Sequence, residues 1–140
     1  MSTPASPAPR VLLIEDAGDI VELVTSILED EGFNLTVATD GEAGLSAAHD
    51  WPPDAILLDL SLPKLSGWDV IQRLRAAGLD TPVIALTAHA MRGDRERALA
   101  LGCDDYLSKP FEIDQLVAIL EKYTGDRRWA MGDGRWAMVG

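Results

Sequence analysis

Only one cysteine, Cys103, stands among the 140 residues, so no disulfide can form within the chain and no disulfide framework of a secreted protein is present. That thiol reads as a small buried hydrophobe. Positive charge is scarce too, with 12 Lys and Arg against 23 Asp and Glu and a formal net charge of -11. Such a chain is not expected to bind DNA or an anionic membrane surface directly, because both carry negative charge of their own. Long apolar runs are missing. Residues 1–9 are rich in Ser, Pro and Ala without the apolar run of a signal peptide, and no later stretch is long enough to span a bilayer. A cytoplasmic protein with a flexible segment at 1–9 is the expectation.

What the chain does have is enough apolar material, 47% of its residues, to build one real core. Short apolar runs alternate with amphipathic stretches. Val11–Ile14 is a compact run of the kind buried on both faces of a parallel sheet, and it stops at Glu15 and Asp16. A helix follows with Ile20, Val24, Ile27 and Leu28 on one stripe and Gly32 at its end. Phe33–Ala38 reads as a strand with Phe33, Leu35 and Val37 on one face, and Gly41–His49 as a short helix cut off by Trp51-Pro52-Pro53. The third strand, Ala55–Leu58, ends at Asp59; a loop to Ser66 carries Pro63, and Gly67 opens a helix striped by Trp68, Ile71 and Leu74. Pro82–Leu86 is a fourth strand ending at Thr87. Residues 90–101 form a weaker helix interrupted by Gly93, Asp105–Leu107 a short fifth strand ending near Lys109, and Ile113, Leu116, Val117 and Leu120 mark the last helix.

Five strands separated by helices and joined by short connections specify a doubly wound α/β fold, a parallel sheet covered on both faces. Ligands of such sheets sit beyond the carboxyl ends of the strands. That rule selects Glu15, Asp16, Asp59, Thr87 and Lys109, each just past an apolar run. Taken singly, these residues have ordinary explanations: an Asp at a strand end caps a helix or turns the chain, and a Lys is a solvated charge. Together they describe chemistry. Three crowded carboxylates either raise a pKa or hold a cation. An oxygen donor set without His or Cys favours a hard ion, with magnesium the default. With charge offset, a carboxylate can attack phosphorus, and Asp59, closing the central strand, is the candidate nucleophile. Phosphoryl transfer then needs positioning and stabilisation of the equatorial oxygens, which a metal, the Lys109 ammonium and the Thr87 hydroxyl can supply.

These segments resemble a family. Val11-Leu12-Leu13-Ile14-Glu15-Asp16, Leu57-Leu58-Asp59-Leu60-Ser61-Leu62-Pro63, Gly67, Ala85-Leu86-Thr87-Ala88 and Asp104-Asp105-Tyr106-Leu107-Ser108-Lys109-Pro110-Phe111 are similar to the receiver domain of bacterial two-component response regulators, over about residues 10–123. The resemblance implies a flavodoxin-like five-stranded sheet of order 2-1-3-4-5 with five helices. It implies phosphoryl transfer to Asp59 from a histidine kinase or a histidine phosphotransfer protein. By the same resemblance Asp16, Asp59 and the Ser61 carbonyl bind Mg2+ with Glu15 assisting through water, and Thr87 and Tyr106 form a switch in which Tyr106 turns inward. The Lys109–Pro110 bond is then cis, and His89 and Ser61 border the site and tune the lifetime of the phosphoryl group. Departures are small: Ala17 follows the acid pair where a polar residue is frequent, Leu62 and Leu65 replace common methionines, and Ser66 a common aspartate.

Three other readings compete with this one. A haloacid-dehalogenase-type phosphatase needs a second acid two residues after the nucleophile, where this chain has Ser61. A flavodoxin-like electron carrier would set its flavin phosphate against Glu15 and Asp16, which repel it. A binding module with vestigial phosphorylation stays open. The chain is not expected to be an enzyme beyond its own phosphorylation and dephosphorylation. Nothing after the receiver reads as an output domain, so a single-domain regulator is expected, acting through protein contacts made by the surface around residues 90–123 or equally as a shuttle in a phosphorelay, as a monomer or weak dimer. Residues 124–140 carry a repeat, Arg128-Trp129-Ala130-Met131-Gly132 and Arg135-Trp136-Ala137-Met138-Val139. Its tryptophans are one heptad apart, as on a helix face, but Gly132 and Gly134 favour a loose tail instead.

Overall fold

The computed structural model describes residues 8–88, 92–124, 129–132 and 135–138, the last two stretches as backbone. Five strands, β1 (Arg10–Ile14), β2 (Asn34–Ala38), β3 (Ala55–Asp59), β4 (Val83–Thr87) and β5 (Asp105–Ser108), alternate with α1 (Gly18–Asp30), α2 (Gly41–Asp50), α3 (Gly67–Ala76), α4 (Asp94–Leu101) and α5 (Ile113–Thr124). All pairs among these five strands are parallel and the order is β2-β1-β3-β4-β5, as the resemblance implies. No helix among the described residues is long and apolar enough to cross a membrane.

Period-two alternation explains the two cores. Leu12, Ile14, Ile56 and Leu58 point to the face covered by α2, α3 and α4, where they meet Val70, Ile71, Leu74 and Ala98. Val11, Leu13, Leu57, Ile84 and Leu86 point the other way, onto Val24 and Leu28 of α1 and Leu116 and Leu120 of α5. Because both faces are covered, β3 and β4 are buried along their whole length and read as continuous apolar runs. The edge strand β2 is different. Phe33 precedes it and is buried, but Val37, expected on the same inward face, is 37% exposed.

The helix ends follow local chemistry. Asp40 accepts from the Ala43 N–H at 2.8 Å and Ser66 from the Asp69 N–H at 3.3 Å, so Ser66 caps α3 in place of the more common aspartate. The fourth helix corrects its expected bounds. Gly93 does not lie within the described helix; it precedes α4 at φ +91, a backbone that favours glycine, and α4 starts at Asp94. Residues 90 and 91 lie outside the described residues. The tail also departs from expectation. Trp129–Gly132 (β6) and Arg135–Met138 (β7) pair antiparallel, with Trp129 opposite Met138 and Met131 opposite Trp136. Trp129 and Trp136 therefore belong to two strands and not to one helix or a loose tail. Asp-Gly, the pair between the strands, is a sequence that two-residue hairpin connections favour.

Two packing details hold the α3 side together. The Arg75 guanidinium donates to Gly102 O from Nε (3.0 Å) and Nη2 (2.8 Å), and to Leu79 O (2.8 Å) and Thr81 O (2.9 Å) from Nη1. It also donates to Asp104 Oδ2 at 2.9 Å, which accepts the Val83 N–H as well. One side chain thus ties the end of α3 to the start of β4 and the end of α4. Beside it Cys103 is buried as expected, its thiol pushed up to about 12 by burial and therefore neutral. At the other end of α3, Gly67 lies against β3: a Cβ there would fall 2.3 Å from Asp59 O and 2.6 Å from Leu60 Cα.

Two substitutions test these contacts. Arg75→Met leaves three part-buried carbonyls and Asp104 without their charged donor, and should cost about 1–3 kcal/mol, read as a lower urea midpoint at unchanged slope. Gly67→Ala forces backbone to give way and should cost about 1–3 kcal/mol in the same measurement.

Candidate functional site

The carboxyl ends of β1, β3, β4 and β5 bring Glu15, Asp16, Asp59, Thr87 and Lys109 to one rim. Glu15 is wholly buried, Asp59 is 4% exposed and Thr87 3%, whereas Asp16 is exposed. Carboxylate oxygens of Glu15, Asp16 and Asp59 lie within 4.8 Å of one another. Lys109 reaches in from beyond β5, where its own N–H donates to Thr87 O at 2.7 Å and its peptide bond to Pro110 is cis. Its Nζ donates to Glu15 Oε1 at 2.5 Å and stands 3.8 Å from Asp59 Oδ1.

Backbone donors complete the setting. Glu15 Oε2 accepts from the Ala17 N–H at 3.2 Å, and Asp59 Oδ1 from the Ser61 N–H at 3.0 Å. Burial raises the pKa of Glu15; the Lys109 bond and the Ala17 N–H oppose that rise, and Asp59 adds to it. With both buried carboxylates ionised, one ammonium leaves the pair one charge short of neutral, and Asp16 adds a further negative charge at the surface. Oxygen donors of this kind, without His or Cys, fit a hard divalent cation that keeps part of its water shell. The carboxylates of Glu15, Asp16 and Asp59 are the oxygen donors gathered there. Glu15 has both oxygens engaged by the protein.

Tyr106 packs against the core on the α3 and α4 side with its hydroxyl buried and without a well-formed hydrogen bond. Burial raises its pKa, the nearby Thr87 hydroxyl lowers it, and Asp94, Arg95 and Glu96 of α4 act from further off. The Tyr106 ring thus lies against the core with its hydroxyl shielded from water. His89 lies outside the described residues. Sequence alone does not reveal the Glu15–Lys109 pair, which joins residues far apart in the chain, nor the close approach of Gly67 to Asp59. A glycine at the start of a helix is the only available hint of the latter.

The family model for the response regulator receiver domain matches residues 11–121. The chain is 45% identical over 109 residues to the transcriptional regulatory protein DltR of Streptococcus agalactiae, covering 78% of this chain and 49% of that protein. It is 41% identical over 109 residues to the cell cycle response regulator CtrA of Brucella ovis, covering 78% and 47%. The chain thus spans about half the length of these curated relatives. Among solved structures it superposes on the Francisella response regulator 1452 receiver domain with TM-score 0.80 and 33% identity, covering 84% of this chain and 97% of that one. The receiver domain of the sensor histidine kinase PA1611 of Pseudomonas aeruginosa, solved with a magnesium ion in its active-site cleft, matches with TM-score 0.78 and 38% identity, covering 84% and 98%. A parallel sheet of this order, with its acids, threonine and lysine on one rim, belongs to the response regulator receiver family, and this chain is a member of it.

Proposed function

We propose that Asp59 is the phosphoacceptor and that the phosphoryl group comes from a phosphohistidine on a histidine kinase or phosphotransfer protein. The observation that carries this reading is the Asp59 carboxylate, nearly buried, held by the Ser61 N–H and lying 3.8 Å from the Lys109 ammonium. An Asp59 oxygen forms the new bond to phosphorus while the bond from phosphorus to the donor imidazole nitrogen breaks, and the imidazole leaves with that electron pair. Lys109 stays close to the growing charge, and the Ser61 N–H keeps one oxygen fixed so that the other can present itself. Thr87 then follows the phosphoryl oxygens by a charge-assisted hydrogen bond, with Tyr106 packed behind it. Asp16, Asp59 and the Ser61 carbonyl would hold Mg2+, which offsets negative charge at the transferring group. The chain turns over only its own phosphoryl group and is not otherwise an enzyme.

Signal output through protein contact, made by the surface from α4 to α5, agrees with the net charge of -11. The relatives named as transcriptional and cell-cycle regulators are about twice as long as the matched region, which fits a receiver governing something beyond itself. A phosphatase reading gains no support, since Ser61 stands where its second acid belongs.

Incubation with acetyl phosphate and magnesium should produce an acid-labile, hydroxylamine-sensitive phosphoprotein, and Asp59→Asn should reduce the label to background. Undiminished labelling of that variant overturns the assignment, and no labelling of the wild type favours a binding-only module. Magnesium should also raise the melting temperature, by about 2.7 kcal/mol of stabilisation at a hundredfold excess over Kd, because it binds the native site. Asp16→Ala should remove most of that gain in a thermal shift experiment; a surviving response puts the ion elsewhere.

A further inference from the structure

α4 is weakly held. It has eight residues, no side-chain cap at its start and one fully buried side chain, Ala98. Arg75 anchors its far end through Gly102 O. Among the described residues, Arg97 nearer its start sets its guanidinium over the Trp68 ring at 4.1 Å from the centroid. A cation over an indole face is attracted by the ring quadrupole, and more strongly where the ring is partly shielded from water, as Trp68 is.

Trp68 is placed by the phosphoacceptor itself. It directly follows Gly67, which packs so closely on Asp59 O that no side chain fits, and whose N–H donates to Leu60 O at 3.2 Å. The loop between them is tied at its other end by the Ser61 N–H to Asp59 Oδ1. A continuous physical chain therefore runs from the Asp59 carboxylate through Ser61 and the 60–66 loop to Gly67 and Trp68, and across the ring to Arg97 on α4. None of its members is Thr87 or Tyr106.

We propose that the Arg97–Trp68 stack is a latch that couples the state of Asp59 to α4, by a route separate from Thr87 and Tyr106. A new bond and new charge on the Asp59 carboxylate changes the hydrogen bond it accepts from Ser61 and shifts the loop. The Trp68 ring moves with the start of α3, and the population of α4 positions follows because the helix has little else to hold it. This inference rests on Asp59 being the phosphoacceptor. Arg97 is here a positioning residue, acting through Trp68.

Amide hydrogen exchange on the full chain tests it, with wild type, Arg97→Met, Arg97→Lys, Thr87→Ala and the Thr87→Ala/Arg97→Met double variant. Without ligand, Arg97→Met should speed exchange of residues 94–101 roughly three- to tenfold, Arg97→Lys should restore most of the protection, and α1 should be unchanged. With magnesium and beryllofluoride, Thr87→Ala should keep part of the α4 response, and the double variant should lose it. Unchanged exchange in ligand-free Arg97→Met overturns the latch. A Thr87→Ala response already at zero, or a residual response undiminished in the double variant, overturns the separate route. Fluorine NMR reports beryllofluoride occupancy in each sample. A wild type that never binds beryllofluoride refutes the phosphoacceptor reading and the transmission step with it, whereas the stack is judged by the ligand-free comparison.

Discussion

Glu15 and Asp59 are two carboxylates buried side by side, a placement that costs several kcal/mol per ion unless opposite charge is brought to them. Here a single ammonium serves both: Lys109 bonds Glu15 and stands next to Asp59. That lysine arrives from beyond the edge strand β5, so the compensation exists only when β1, β3, β4 and β5 are in register. The sheet order and the site are therefore one constraint. The remaining negative charge is what makes the rim suited to a divalent cation and, with it, to a phosphoryl group.

Much of this is legible in the amino-acid sequence because strands buried on both faces leave a plain signature. β3 and β4 are unbroken apolar runs, and the first polar residue after each is the residue at the rim. The helices α1, α3 and α5 are equally clear, since Val24 and Leu28, Ile71 and Leu74, and Leu116 and Leu120 recur at helical spacing and each pair is buried. What sequence does not show is which distant groups bind each other. Nothing local says that Lys109 bonds Glu15, or that Arg75 spans from α3 to Gly102 and Asp104. Likewise, Val37 alternates correctly for an inward residue and is nevertheless exposed, because β2 is an edge.

The two segments where sequence misleads share a cause. Gly93 reads as a flaw within a helix, whereas its positive φ makes it a boundary before one. Two tryptophans seven residues apart fit a helix face, and equally fit two strands that meet across an Asp-Gly pair, which the register of β6 and β7 favours. In both cases a glycine is misread: Gly93 is a boundary, and Gly132, which favours a loose tail in the sequence, lies within β6. α4 is short and poorly anchored, which blurs its sequence signal and suits it to the proposed response. A helix with one buried side chain can be repositioned by a hydrogen bond or a stacked guanidinium, whereas α5, with Leu116 and Leu120 in the core, cannot.

The central claim is that one oxygen of Asp59, and of no other carboxylate on the rim, takes the phosphoryl group. Borohydride reduction of the protein immediately after reaction with a phosphohistidine donor converts an aspartyl phosphate into homoserine, and peptide sequencing by mass spectrometry then finds its position. The account predicts homoserine at position 59 alone, in an amount matching the phosphoryl group transferred. Homoserine at position 16, a spread over several acids of the rim, or transfer without any reducible acyl phosphate would contradict it.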